Sequence, residues 1–224
     1  MKTLFQLFLI LHIAGGFTGL IIGSYVLIRK KGDILHKKTG QVFFWGMIAA
    51  GISSLVLAVL HPNSFLFMIG LFTLYMTITG IRYNQHRHTL PQQPETNDRL
   101  LMIMMGLGAA LLIFIGISKL IQGDTFGIAL LFFSFAGIQF IRQDLANFKN
   151  PSAAKFLQGH IARMTGSYIA AFTAFLVVNF DRLPLHLPGF VVWLAPSMVL
   201  SPLIFKWTKK YAPIKKKASH ESHH

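Results

Sequence analysis

The chain of 224 residues contains no cysteine, and it has seven acidic residues against 21 Lys and Arg. The lack of cysteine excludes disulfide bonds and thiolate metal ligands. Charged residues make up 12% of the sequence, whereas soluble domains have about a quarter. A chain of this composition cannot cover a globular surface that faces water. The scarcity of charge therefore indicates a membrane protein with no separate soluble domain.

Long hydrophobic runs dominate the rest of the sequence. They cover residues 4–28, 41–60, 63–81, 100–121, 126–142, 160–180 and 188–206. Most of them approach the roughly 20 residues that an α-helix needs to cross a bilayer. We therefore predict an all-α, polytopic membrane protein with seven transmembrane helices in one domain over residues 1–210. Residues 211–224 are basic and lack apolar periodicity, which predicts a disordered cytoplasmic tail.

The basic residues alternate along the chain. Eighteen of the 21 lie in every second gap between the runs or in the tail, and the exceptions are Lys2, Lys119 and Arg182. Cytoplasmic loops carry the excess of Lys and Arg, so the N-terminus is predicted outside and the C-terminus inside. Because the positive charges sit at membrane ends, their expected partners are the bilayer and anionic lipid headgroups rather than nucleic acid.

A weak internal repeat relates the helix pairs of residues 41–82 and 100–142. With an offset of 57 residues, Gly70, Leu74, Gly80 and Ile81 coincide with Gly127, Leu131, Gly137 and Ile138. Glycine is common in membrane helices, so chance is a competing explanation. Repeats are also frequent in transporters, where the binding site lies at the repeat interface.

His12 is the clear ionisable residue well inside a hydrophobic run. Gly16, Gly19 and Gly23 follow it at helical spacing on the same face. Small residues let another helix approach closely, so we expect His12 to point into the bundle and these glycines to pack. Two interpretations remain open. His12 is either a neutral side chain bonded to a neighbouring carbonyl or hydroxyl, or a ligand or proton-transfer group.

A second small-residue stripe begins at the cytoplasmic end of the sixth run. His160, Arg163 and Ser167 share one helix face there. We expect Arg163 to form an ion pair with Asp144, which follows the fifth run. The alternative is that Arg163 binds an anionic headgroup or a phosphate-bearing ligand.

The remaining histidines separate by side. Imidazole is the usual ligand of b-type haem, and of zinc or copper where thiolates are absent. His12 and His61 are predicted toward the outer face, and His36 and His160 toward the inner face. One haem or divalent-metal site near each face would suit transmembrane redox chemistry, which is our leading hypothesis. His86 and His88 are assigned to a mobile cytoplasmic loop.

Two other classes of function remain open. A transporter or permeation protein for a small molecule or lipid would use His12 with Thr73, Thr77 and Thr79 as its pathway. A non-enzymatic scaffold or sensor would bind partners through the basic loops. No catalytic residue is assigned in any of the three hypotheses.

Several segments resemble one known group of proteins. His12–Gly16, the basic loop with His36 and Gly40, His61–Asn63 and residues 160–179 are similar to a family of small bacterial membrane proteins of Bacteroidetes type, which carry a domain of unknown function. The resemblance spans most of residues 8–208. It implies a seven-helix protein of the bacterial inner membrane. It marks as signature positions His12, His36, Gly40, His61, His160 and Arg163, without assigning them an activity.

Overall fold

The computed structural model of the chain describes residues 2–182 and 189–212. The helices are α1 (Lys2–Ile28), α2 (Ile34–Leu60), α3 (Ser64–Thr89), α4 (Thr96–Ile121), α5 (Phe126–Lys149), α6 (Ala153–Asn179) and α7 (Gly189–Tyr211), with a short 3₁₀ turn at Phe180–Arg182. The all-helical prediction is confirmed. The predicted tail of residues 211–224 overlaps α7 at Tyr211. From residue 213 onward, the tail lies outside the described residues.

Capping side chains, rather than hydropathy, set several helix starts. Asp33 accepts a hydrogen bond from the His36 N–H at 2.7 Å, and Asn63 accepts one from the Leu66 N–H at 3.0 Å. These bonds satisfy backbone donors that have no partner within the helix. The His36 N–H, assisted by the charge of Arg29, holds the pKa of Asp33 below its usual range. A helix therefore begins at its cap even where the hydrophobic run begins several residues later.

Helix α3 is longer than its hydrophobic run. It continues to Thr89 and ends at Leu90, which has a left-handed backbone with φ of +50°. The loop before α4 is therefore shorter than expected. The assignment of His86 and His88 to a mobile loop is wrong for His86, which is buried in α3, and His88 also lies within the helix.

Six of the seven described helices, α1 to α6, are long and apolar enough to cross a membrane. Helix α7 is the exception. It contains Pro196 and Pro202, and Lys209 and Lys210 occupy its last turn. The protein is thus a multi-pass membrane protein by the length and composition of its helices.

Helices α3 and α6 form the centre of the bundle. Helix α3 packs against α2, α4, α5 and α6, while α1 packs on α2 and α6, and α7 packs on α6. The main apolar core is built around fully enclosed side chains of α3, including Met68, Phe72 and Tyr75. Side chains that α3 carries near its C-terminal end are therefore surrounded by the ends of α4, α5 and α6.

Glycines of α1 pack closely against α2 as predicted, but one of the contacting glycines differs from the prediction. Gly15, Gly19 and Gly23 are buried, whereas Gly16 is half-buried. A Cβ atom on Gly15 would lie 2.7 Å from the carbonyl oxygen of Gly46 in α2, whereas one on Gly16 would meet nothing within 4 Å. The assignment of Gly16 to the packing face is therefore replaced by Gly15.

The repeat stays a prediction, because its paired glycines have only partly similar surroundings. A Cβ atom on Gly70 would lie 2.7 Å from Ser54 in α2, and one on Gly127 would lie 2.7 Å from Leu120 in α4. Both glycines thus face the preceding helix of their hairpin. The second pair differs, since Gly80 adjoins α6 and Gly137 adjoins α4.

Substitution of Gly15 by alanine should destabilise the protein, and the same substitution of Gly16 should not. The new methyl group of Gly15→Ala would press on the α2 backbone, which cannot yield as a side chain can. Overpacking of this kind costs about 1–3 kcal/mol. Thermal unfolding of the detergent-purified variants measures the difference, and equal melting temperatures would contradict the assigned contact.

Candidate functional site

Charged and polar side chains are concentrated inside one end of the bundle. This end is formed by the C-terminal parts of α3 and α5 and the N-terminal parts of α4 and α6, next to the gaps that carry most basic residues. His86, Asp98, Asp144 and Arg163 are only 3–6% exposed there. Burial of charge in an apolar bundle is costly unless the charge is paired. Two adjacent clusters provide this pairing.

The first cluster, which we call the clasp, consists of Tyr75, Tyr83, Asp144 and Arg163. The Arg163 Nη2 donates to Asp144 Oδ1 at 2.6 Å, so the ion pair expected from the sequence forms. The hydroxyls of Tyr75 and Tyr83 donate to the two carboxylate oxygens of Asp144. The clasp thereby connects α3, α5 and α6 through one buried carboxylate.

The guanidinium of Arg163 is held on several sides. Its Nη2 also donates to the carbonyl of Phe140 at 3.1 Å, and its centre lies 4.0 Å from the ring centroid of Phe140. The carboxylate with three donors and the cation over an aromatic face are typical of a structural ion pair. The Nη1 of Arg163 is buried with no hydrogen-bond partner among the described residues.

The second cluster, which we call the α3–α4 cluster, consists of Arg82, His86, Glu95 and Asp98. Arg82 Nη2 lies 2.8 Å from Glu95 Oε2 and 2.9 Å from Asp98 Oδ2, while its Nε donates to the other Asp98 oxygen. His86 Nε2 lies 2.9 Å from Asp98 Oδ2. The Glu95 N–H also donates to Asp98 at 3.0 Å, which caps the start of α4.

His86 and Asp98 are the buried members of the α3–α4 cluster. Its ring centroid lies 5.4 Å from that of Phe148 in α5 and 5.7 Å from that of Phe156 in α6. Within the described ranges, His86, Glu95 and Asp98 are the group whose potential metal-ligand atoms converge, all within 4.8 Å of one another. Glu95 is the exposed member and opens the cluster toward the surface.

A cavity of about 10 Å³ joins the two clusters. It is lined by Thr79, Arg82, Tyr83, Asp98, Met102, Asp144 and Phe148. This is about the space that one water molecule needs, and the lining offers several polar partners for it. The clasp and the α3–α4 cluster are therefore parts of one polar region.

His12 contacts the neighbouring helix as expected for a side chain bonded to a nearby carbonyl or hydroxyl. Its Nδ1 lies 3.1 Å from the carbonyl oxygen of Ala50 and 3.2 Å from Ser54 Oγ, both in α2. His61 is exposed at the same end, with its ring edge-on to Phe5 at 4.5 Å. This outer pair lies at the end of the bundle opposite the charged clusters, since His61 follows the end of α2, about 38 Å of helix length from His36 at the start of that helix.

The predicted inner pair, His36 and His160, does lie close together. His160 Nδ1 is 2.7 Å from the carbonyl oxygen of Gly80, and His36 and Arg87 are near enough to interact with it electrostatically. His36 Nδ1 is buried without a hydrogen-bond partner in the described part of the chain. Lys31 adds a further positive charge beside His36. Asp33 is the carboxylate that acts on His36, so positive charges outnumber negative ones around the two histidines, which opposes a divalent cation.

The small polar residues of α3 and α6 mediate helix contact. Thr77 Oγ1 and Ser167 Oγ lie 2.6 Å apart, which agrees with the packing role expected for Ser167. Thr79 Oγ1 instead donates within α3, to the Tyr75 carbonyl at 2.6 Å, and Thr73 is buried. These contacts favour packing over a permeation pathway lined by the three threonines.

Comparison with protein-family models, with curated proteins and with solved structures finds no match to this chain. The functional argument therefore depends on the geometry of the charged end.

Asp144 and Arg163 should be coupled in their contribution to the free energy of unfolding. Arg163→Met leaves the Asp144 carboxylate buried without its cation, and such a loss destabilises a protein by about 3–5 kcal/mol. The double variant Asp144→Asn/Arg163→Met should lose less than the sum of the single losses. Reversible unfolding in detergent measures the coupling, with Arg99→Gln as the exposed control. Additive losses would show that the two residues do not act as a pair.

Proposed function

We propose that this multi-pass membrane protein binds a divalent transition-metal ion through the α3–α4 cluster, at the cytoplasmic end of a seven-span bundle. The observation that supports this function is the convergence of His86, Glu95 and Asp98 ligand atoms within 4.8 Å. One imidazole and two carboxylates are a donor set that suits zinc, manganese or iron. The buried histidine of the redox or metal hypothesis is then His86, which the sequence patterns had placed in a loop.

The position of the three ligands supports this proposal. His86 and Asp98 come from the last turns of α3 and the first turn of α4, and rigid helices hold ligands more firmly than loops do. The aromatic rings around His86 exclude solvent from the inner side, while the exposed Glu95 leaves an entry path. A bound ion would supply Lewis-acid chemistry, or one-electron chemistry if it were iron or manganese.

Arg82 competes with a metal ion for the same oxygen atoms. Its guanidinium contacts both carboxylates, so Arg82 and a metal ion would compete for the same two acids. Metal binding therefore requires Arg82 to release Glu95 and Asp98. This competition makes the site one of moderate affinity that depends on the available concentration of metal.

The inner histidine pair supports a metal site less well. Among the described residues, the ligand atoms of His36 and His160 do not converge with a carboxylate, and the positive charges of Lys31 and Arg87 act on them beside the single carboxylate of Asp33. His12 supports transport less well, because its Nδ1 is within hydrogen-bond distance of the Ala50 carbonyl and Ser54 Oγ of α2, as in a packing contact. Membership of the Bacteroidetes-type family and the location in a bacterial inner membrane are part of the same proposal, supported by the signature segments and the six apolar helices.

The purified protein should bind one divalent ion per chain. The His220→Ala/His223→Ala/His224→Ala background removes nonspecific ligands of the tail. In this background, His86→Ala and Glu95→Gln should each lose the ion, because each removes one ligand atom. Arg82→Gln should bind more tightly, because it removes the competing cation. Metal quantification and titration of chelator-treated protein measure these effects.

His88→Ala is the matched control, since His88 is exposed and lies two residues from His86 on α3. Its binding should equal that of the background protein. Binding that survives His86→Ala, or no binding even in Arg82→Gln, would contradict the proposal. A Soret band in the visible spectrum would instead favour haem ligation by the other histidines.

The absence of cysteine makes the orientation directly testable with single introduced thiols. An impermeant maleimide should label Gln122→Cys in intact spheroplasts, because residue 122 joins α4 to α5 and the proposed orientation puts this hairpin outside. Gln93→Cys and Ser219→Cys should react only after permeabilisation. Labelling of Ser219→Cys in intact spheroplasts would show six spans instead of seven, and a reversed pattern at residues 93 and 122 would contradict the orientation.

A further inference from the structure

A second and larger cavity lies at the charged end of the bundle, outside both clusters. Its volume is about 360 Å³, within the range of about 300–1,000 Å³ that is usual for ligand pockets. It is lined by Arg87, His88, Ala153, Ala154, Leu157, Tyr211 and Ala212. The cavity therefore lies where the C-terminal ends of α3 and α7 meet the start of α6.

The lining combines an apolar wall with a polar rim that carries the positive charge of Arg87. Ala153, Ala154 and Leu157 form one helical face of α6, while Arg87 and His88 come from the last turn of α3. No carboxylate lies among the lining side chains in the part of the chain that the structure describes. A ligand that complements this surface has one negatively charged group and one apolar portion.

Arg87 is oriented in a way that suits a phosphate. Its Nε donates to His88 Nε2 at 3.0 Å, which aligns the two side chains. The terminal Nη groups of Arg87 make no hydrogen bond to another residue in the described ranges. A guanidinium presents such groups as a planar fork that matches phosphate oxygens.

We propose that this cavity is a binding site for an anionic phospholipid. The phosphate lies against Arg87 and His88, and the glycerol and first acyl carbons lie along Ala153, Ala154 and Leu157. The bilayer supplies such a ligand, because the lining residues of α3 and α6 lie within about two helical turns of the hydrophobic runs of these helices. The apolar wall favours a lipid over a soluble anion. The proposal is independent of the metal site, since the two share no residue.

The test uses the full chain in nanodiscs of phosphatidylcholine alone or with phosphatidylglycerol, and native mass spectrometry to count retained lipid. The unchanged protein should retain one phosphatidylglycerol. Arg87→Gln should weaken its retention about tenfold or more, because a charge-assisted hydrogen bond is lost. Ala154→Leu should weaken it as well, because the larger side chain fills the apolar wall without altering charge.

Arg99→Gln is the control for a general loss of surface charge, since Arg99 is exposed and lies at the same end of the bundle. It should retain the lipid as the unchanged protein does. Equal weakening by Arg99→Gln, or full retention by both Arg87→Gln and Ala154→Leu, would overturn the site. Inorganic phosphate added to phosphatidylcholine nanodiscs should not raise the melting temperature of the protein. A rise equal to the one that phosphatidylglycerol produces would overturn the assignment to a lipid. Melting temperatures also show that each variant is folded.

Discussion

The ion pair between Asp144 and Arg163 is the interaction on which the charged end of this protein depends. An apolar bundle with seven acidic residues cannot leave a buried carboxylate without its cation, because desolvation outweighs other local gains. Asp144 also accepts the hydroxyl groups of Tyr75 and Tyr83. Helices α3, α5 and α6 must therefore keep one relative register and rotation. The positions of all other polar groups at this end follow from that register.

The same requirement for paired charge explains why the candidate chemistry is concentrated in one region. Arg82 and Asp98 repeat the pairing of the clasp one layer nearer to the helix ends, and the small cavity connects the two layers. His86 is enclosed there by aromatic rings of α5 and α6. At the opposite end, His12 uses a backbone carbonyl and a serine hydroxyl of α2 as partners, so it needs no counter-charge. The buried charges are thus concentrated at one end of the bundle, whereas the opposite end has the partly exposed ion pair of Lys119 with Asp124.

Much of the fold follows from sequence patterns, and the errors have identifiable physical causes. The ion pair was predictable because Asp144 and Arg163 flank one gap of a chain with few acids. His86 was misplaced because hydropathy measures suitability for lipid, whereas the helix continues as long as its backbone hydrogen bonds do, here to Thr89. Gly15 replaced Gly16 because spacing defines a helix face only to within about one residue, and the backbone of α2 decides which glycine it touches.

The sequence by itself determined the helical class, the hydrophobic segments and the distribution of basic residues, because each is a property of segments read along the chain. Only the tertiary structure decided which side chains converge. The approach of His86, Glu95 and Asp98 depends on α3 reaching beyond its hydrophobic run and turning back at Leu90. The lipid-sized cavity depends on three helix ends that are distant in sequence. Such distances result from the rotation and register of packed helices, which no single segment encodes.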